Sequence, residues 1–239
     1  EQIEHSEDIL TGFKLAAADW KIRYVPLVLA TGLCPEDVHT YFHQQHRWCS
    51  GTLVLCLSRR FWTARLPLAV KLCYLSGFFY YLFQPLALLM VFQMYVVLFF
   101  HFNAISLRYA LPFVPHILFI TIVIPLTRGT SSRFGTFLAR TTHVFSTSHA
   151  FVSHIAGQRL EWLPTNVRSS RVSPAFMVLL GMSALHLGVQ ILLAVAAILI
   201  FRFQLTQLQY FPVTLWIVYH LVTGAMFLSH GFGALRRPS

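Results

Sequence analysis

The sequence predicts a mostly α-helical membrane protein that begins with a short piece of an α/β domain. Hydrophobic residues make up 56% of its 239 residues and charged residues only 11%, whereas about a quarter of a typical soluble domain is charged. Four long runs without Asp, Glu, Lys or Arg lie after residue 70, while all three aspartates and four of the five glutamates lie before it. A polar N-terminal segment is therefore expected to precede a transmembrane helical bundle.

The polar segment, residues 1–70, is predicted to start with a helix that runs to about residue 19. Ser6 is a suitable N-cap for this helix. Glu7 and Asp8 follow in its first turn, where the positive end of the helix dipole favours acidic side chains.

A strand and a second helix are predicted next. Residues 22–30 are rich in β-branched and apolar side chains, a composition typical of a short strand. Pro35 then precedes Glu36 and Asp37, and proline followed by acids is a common helix start. The second helix is expected to extend from Glu36 to about residue 58.

The four uncharged runs are predicted to be transmembrane helices. The first has 29 residues, and at ~1.5 Å per residue it is longer than the ~30 Å hydrocarbon core. The runs are residues 72–100, 110–126, 174–201 and 211–232. The predicted organisation is a polar segment with an interfacial helix at 1–70, two spans at 71–127, an interfacial helix and loop at 128–173, and two spans with a short tail at 174–239.

The segment at 128–173 is expected to lie on the membrane surface. Residues 137–155 are too polar for a clear span, so an interfacial helix is predicted there; if it spans instead, every later side assignment inverts. Basic residues cluster in this segment, before the first span and at the C-terminus, which places these parts in the cytoplasm. The arginines of the segment are Arg128, Arg133, Arg140, Arg159, Arg168 and Arg171.

Charge and cysteine usage exclude several classes of protein. The net charge of +10 comes from residues that flank apolar runs, which indicates membrane orientation and no nucleic-acid partner. The four cysteines form no CxxC pair, so neither a zinc ribbon nor a redox motif is predicted. The first residue is Glu1 and no signal peptide follows, so the sequence is expected to begin inside a domain.

The histidines allow two interpretations. His39, His43 and His46 are spaced i, i+4 and i+7 on the second helix, a pattern that can bind zinc, but no nearby acid completes a site. The interfacial segment carries His143, His149 and His154 at irregular spacing. These three are expected to form a polar face toward lipid headgroups.

The strongest local signal is the run Gln44-Gln45-His46-Arg47-Trp48. Gln44, Arg47 and Trp48 share one helix face, at i, i+3 and i+4. The amide and guanidinium can hold phosphate oxygens, and the indole can stack on the apolar face of a sugar. The alternative is an amphipathic helix with an interfacial tryptophan and a snorkelling arginine.

Two motifs together resemble processive family 2 glycosyltransferases of the cellulose-synthase type. Ser6-Glu7-Asp8 is similar to the family's Thr-Glu-Asp motif, with serine in place of threonine. About 36 residues later, Gln44 to Trp48 matches its Gln-x-x-Arg-Trp motif. The resemblance covers the whole chain. It implies the C-terminal piece of a GT-A-like α/β domain followed by a transmembrane bundle.

The resemblance also implies roles for these residues. Asp8 would be the general base that deprotonates the acceptor hydroxyl, with Glu7 supporting it. Trp48 would stack under the terminal sugar of the acceptor, while Gln44 and Arg47 would lie near the nucleotide diphosphate. A carboxylate suits the role of base because it is ionised at neutral pH.

A further match concerns the gating loop. Residues 161–166 resemble the gating-loop region of cellulose synthases, in which Trp162, Thr165 and Arg168 would supply the aromatic, hydroxyl and basic groups. A polar loop anchored by an interfacial tryptophan is the alternative. The family's Asp-x-Asp pair, which holds Mg²⁺ or Mn²⁺, does not occur in this sequence, so the donor and metal sites are expected outside it.

The implied function is transfer of a sugar, most simply glucose, from a UDP-sugar to a growing β-linked polysaccharide that the bundle helps to export. Accessory export subunits are implied as partners, and the plasma or inner membrane as the location. Chitin-type and hyaluronan-type synthases and ceramide-type lipid glucosyltransferases remain alternatives. A non-enzymatic transporter is another, although the predicted spans contain no Asp, Glu, Lys or Arg.

Overall fold

The computed structural model describes residues 7–28, 30–32, 34–101, 105, 111, 113–127, 133–158, 172–201 and 208–235. This part of the chain is mostly helical, as the composition predicts. It divides into two compact units. Unit 1 comprises residues 1–85 and 143–176, and unit 2 comprises residues 86–142 and 177–239.

The helices follow the predicted order along the chain. The α-helices are α1 (Glu7–Ala17), α2 (Val38–Leu57), α3 (Arg59–Thr63), α4 (Leu68–Phe100), α5 (Phe113–Leu118), α6 (Ile124–Thr127), α7 (Arg133–Ile155), α8 (Pro174–Phe201) and α9 (Phe211–Leu235). A π-helical turn over Phe119–Val123 joins α5 to α6, and a 3₁₀ turn over Leu208–Tyr210 precedes α9.

Three helices are long and apolar enough to cross a membrane, namely α4, α8 and α9. The fourth predicted span, residues 110–126, corresponds to continuous helix over 113–127. At ~1.5 Å per residue the described part of this helix measures roughly 22 Å, against ~30 Å for the hydrocarbon core. α7, over the predicted interfacial helix, is not among the three.

The predicted strand at residues 22–30 is absent from the described residues. Residues 20–28 are instead an exposed segment without regular structure, including Trp20, Tyr24 and Val28. A strand requires hydrogen bonds from a neighbouring strand, and the described part of the chain offers none. The GT-A-like α/β domain therefore remains an expectation.

Unit 1 packs α1, α3 and α4 around the C-terminal end of α2. Phe13 of α1, Leu55 of α2, Phe61 of α3 and Phe78 of α4 form one buried cluster. α7 packs along another side of α2. The pairs Gln45–His143 and Cys49–Thr147 are both separated by 98 residues, so α2 and α7 run parallel.

Unit 2 contains two helix pairings. Phe92 lies against His186, and the Tyr95 hydroxyl donates to the Gln190 carbonyl at 3.1 Å, so α4 and α8 run in the same direction. α8 and α9 are antiparallel: Leu187 contacts Gly224 and, one heptad earlier, Leu180 contacts Gly231. At Gly231 an added Cβ would clash with the end of the buried Leu180 side chain, so a larger residue here would have to displace Leu180.

Candidate functional site

The helix that carries Gln44, Arg47 and Trp48 begins at a well-defined cap. Asp37 is the N-cap of α2, and its carboxylate accepts the Thr40 backbone N–H at 2.8 Å, while the Asp37 N–H donates to the Thr40 hydroxyl. This reciprocal capping box typically stabilises a helix by ~1 kcal/mol. The helix starts two residues later than predicted, because Asp37 rather than the Pro35 turn provides the cap.

One face of α2 is buried and holds the helix in unit 1. We call it the anchoring face, and its residues follow one another at helical spacing. They are His39, Phe42, His43, His46, Cys49 and Leu53. Phe42, fully buried at the centre, packs its ring against the rings of His149 and Phe176 at 5.5 and 5.7 Å.

Hydrogen bonds connect the anchoring face to the start of α8. The Nε2 atoms of His39 and His43 are 3.2 Å apart, and His43 Nε2 lies 2.9 Å from the Ser173 hydroxyl oxygen. The backbone N–H of Ser173 donates to His39 Nε2 at 3.3 Å. His39 Nε2 is therefore an acceptor, and the buried imidazoles are partners of one another and of Ser173.

A second set of contacts joins α2 to α7. The Nδ1 atom of His143 donates to the Gln45 side-chain oxygen at 2.8 Å. The rings of His46 and His149 are 5.2 Å apart. The expectation that His143 and His149 face lipid headgroups is therefore wrong, since both are buried in unit 1. His143 Nδ1 has its partner on α2, and His149 Nδ1 lies 3.3 Å from the Ser153 hydroxyl oxygen within α7; both bonds lower the cost of burying these rings.

These histidines are held in the neutral form. Burial, with the neighbouring charges of His39 and Arg47, lowers the pKa of His43 to about 4. Burial alone lowers the pKa of His143 to about 4, and it also lowers the pKa of His39 and His149. At neutral pH the cluster is therefore uncharged, and its role is packing and hydrogen bonding rather than charge.

The opposite face of α2 carries the predicted ligand-binding residues. At about 100° per residue, Gln44 and Trp48 lie on the side of the helix away from Phe42 and His46, while Arg47, one turn after His43, lies between that side and the anchoring face. Trp48 is 41% exposed, and Gln44 and Arg47 are partly buried. We call these three residues the ligand face. The structure brings them together, as the i, i+3, i+4 spacing predicts.

α1 lies at the C-terminal end of that side of α2. Leu55 is two turns after Trp48 and points to the same side. It is covered by Phe13 and by Ile9 and Leu10, which immediately follow the acidic pair of α1. Glu7 and Asp8 are exposed in the first turn of α1. Unit 1 thus holds both predicted motifs on adjoining helices, with the carboxylates accessible to solvent.

The gating-loop residues Trp162, Thr165 and Arg168 lie outside the described residues, as does Ser6. Where the structure is described, no group of three or more His, Cys, Asp or Glu side chains is placed to hold a metal ion. The described residues therefore do not fit a Mg²⁺ or Mn²⁺ site, and the His39–His43–His46 spacing produces packing contacts instead.

The sequence contained one signal that pointed to the anchoring face. His39, His43 and His46 alternate with Phe42, Cys49 and Leu53 at helical spacing, which indicates a buried side of α2. The contribution of Ser173, which lies 130 residues from His43, had no local signal. No family model matches this chain, and no curated protein or solved structure shows significant similarity to it.

Proposed function

We propose that this chain is the acceptor-side part of a membrane glycosyltransferase that extends a β-linked polysaccharide, with glucose as the simplest sugar. The observation that carries the proposal is the division of α2 into two faces. Phe42, Cys49, Leu53 and the buried histidines of α2 lie on the anchoring face, while on the side of Trp48 the helix packs against α1 at Leu55, near its C-terminal end. The ligand face presents an indole, a guanidinium and an amide within five consecutive residues, and the indole is the most exposed of the three.

The chemistry of the ligand face suits a nucleotide-sugar reaction. The half-exposed indole of Trp48 offers a flat apolar surface to the C–H face of the terminal sugar of an acceptor. Arg47 and Gln44 supply donors directed at phosphate oxygens. Both kinds of group are needed where an acceptor sugar meets a UDP-sugar.

The reaction assigned to the chain is an inverting displacement. The Asp8 carboxylate accepts the proton of the acceptor hydroxyl as its oxygen bonds to the anomeric carbon of the donor. The bond from that carbon to the diphosphate oxygen breaks, and UDP leaves with the electron pair. Glu7 supports the charge balance around Asp8. Because the described residues do not fit a metal site, the steps given to this chain involve only the acceptor and the diphosphate.

Substitution of Asp8 tests the proposal in the full-length natural protein. We expect Asp8→Asn to lower incorporation of labelled sugar by about 10²-fold to 10⁴-fold, because the amide cannot accept a proton. UDP binding should be retained, since asparagine keeps the shape of the side chain. The measurement is polymer formed by isolated membranes per mole of inserted protein.

Asp19→Asn is the matched control. Asp19 is the other aspartate near α1, is exposed, and has a positive φ of 62°, a conformation that asparagine adopts readily. Its substitution should leave incorporation unchanged. Normal incorporation by Asp8→Asn membranes would exclude Asp8 as the base. An equal loss in both variants would indicate a nonspecific effect of charge on α1.

A further inference from the structure

The segment between α2 and α4 is held rigidly by one buried ring. Phe61 of α3 is fully buried, and its ring lies 4.9 Å from that of Phe78 and 6.0 Å from those of Phe13 and Tyr74. The Ser58 side chain caps α3 by accepting the Phe61 N–H at 3.2 Å. The five-residue helix is thus fixed in unit 1 by tertiary packing rather than by its own length.

The outer side of this segment combines a tryptophan with basic residues. Trp62 is 54% exposed, but its indole N–H donates to the Cys56 carbonyl at 2.8 Å, so its orientation is set. The Lys71 ammonium donates to the Trp62 carbonyl at 3.0 Å and joins α3 to the first turn of α4. We call this region the α3 surface, and its members are Arg59, Arg60, Trp62, Arg65 and Lys71, of which the first four are exposed.

The sequence that surrounds the α3 surface is free of acidic residues. No Asp or Glu occurs between Asp37 and Glu161. The exposed leucines Leu57, Leu68 and Leu72 flank the basic residues, and the last two belong to α4, a helix apolar enough to cross a membrane. Basic side chains, a tryptophan and exposed leucines at the start of a span are the components of a membrane interface.

We propose that the α3 surface binds the phosphate groups of acidic phospholipids in the leaflet that α4 enters. Arg59 and Arg65 are exposed and lie three residues before and three residues after Trp62, whose indole is fixed, and guanidinium binds phosphate oxygens through paired hydrogen bonds. Trp62 lies at the level of the headgroups, and the leucines contact acyl chains. Charge complementarity identifies the occupant as an anionic headgroup.

The test measures lipid selectivity of the full chain reconstituted in phosphatidylcholine vesicles. Spin-labelled phosphatidylglycerol and spin-labelled phosphatidylcholine are compared as probes, and the motionally restricted fraction of each gives the selectivity ratio. A basic residue near a membrane surface contributes ~1 kcal/mol toward acidic lipid, which corresponds to about five-fold in association. We therefore expect Arg59→Gln/Arg65→Gln to lower the selectivity ratio several-fold, while Arg59→Lys/Arg65→Lys retains most of it.

Lys21→Gln/Arg23→Gln is the control, because both residues are exposed in the segment at 20–28. It should leave the ratio unchanged. The proposal would be overturned if this control lowered the selectivity ratio as much as Arg59→Gln/Arg65→Gln does. It would also be overturned if Arg59→Gln/Arg65→Gln left the ratio unchanged. The unsubstituted protein gives an independent check. Its ratio should fall strongly when NaCl is raised from about 0.05 to about 0.5 M, and a salt-independent ratio would also overturn it.

Discussion

Two tryptophans of unit 1 are exposed to similar degrees for different physical reasons. The indole N–H of Trp62 is bonded to the Cys56 carbonyl within a segment that leads directly into α4. Trp48 instead lies beside Gln44 and Arg47, on the side of α2 that carries no buried histidine. If Trp48 only anchored α2 at an interface, another apolar side chain would serve equally well.

Substitution by leucine distinguishes these roles. We expect Trp48→Leu to lower polymer yield per mole of inserted protein by roughly 2-fold to 13-fold, for loss of ~0.5–1.5 kcal/mol of ring stacking. Trp48→Phe should retain part of the yield because it keeps an aromatic face. Trp62→Leu is the matched control and should retain synthesis. A fully active Trp48→Leu protein would refute the acceptor role and leave α2 as an interfacial helix.

The buried histidines predict how stability depends on pH. Because the pKa of His43 and of His143 in the folded protein is about 4, against ~6.5 when unfolded, the unfolded state binds more protons between these values. Stability is therefore greatest above about pH 6.5 and falls as the pH drops toward 4, by up to about 3 kcal/mol for each histidine. The measurement is the apparent Tm in detergent from pH 7.5 to 4.5.

His43→Leu should lose part of this dependence, whereas substitution of the exposed His101 by glutamine should not. A Tm that is constant between pH 7.5 and 4.5 would show that these imidazoles are not buried in neutral form.

At the level of elements, glycines set the α8–α9 crossing. A side chain at Gly231 would meet Leu180, while Gly233, two residues later in α9, has open space around it. We expect Gly231→Val to destabilise the protein by ~1–3 kcal/mol through overpacking. Gly233→Val should have little effect. Thermal unfolding of the two variants in one detergent is the comparison, and equal Tm values would show that the helices separate easily at this position.

Elements were predictable where their signals are local. α1, α2 and the three long apolar helices follow from caps, helical spacing and uncharged runs, and the ligand face follows from the i, i+3, i+4 rule. The prediction of a strand at 22–30 was wrong for the described residues, because a strand depends on a neighbouring strand that its own residues do not specify. The contacts of His143 and His149 were missed for a related reason: α7 meets α2 at a separation of 98 residues.

At the level of the whole molecule, α4 and α8 run in the same direction through unit 2. A chain that crosses a membrane twice in one direction must return in between. The helix over 113–127 is the candidate for the return, and its described part measures roughly 22 Å.

Cysteine labelling tests this path. In a protein whose four cysteines are replaced, His101→Cys, just after α4, and Gln158→Cys, after α7, are both exposed. We expect His101→Cys to react with an impermeant thiol reagent outside intact cells, and Gln158→Cys to react only after the cells are opened. Labelling of both from outside would mean that the chain does not return before α7 or that α7 itself crosses the membrane, and either would invert the sides of α8 and α9.

The residues on the two faces of α2 are also expected to be under different selective constraints. If the proposed function holds, substitutions on the anchoring face act on folding through His43, Phe42 and their contacts, whereas substitutions on the ligand face act on the bound sugar. Because the two sets share no residue, relatives can diverge in acceptor preference through positions 44, 47 and 48 without compensating mutations in the core. A lineage that changed its sugar would then keep the histidines of α2 and α7 while varying the opposite side of the same helix.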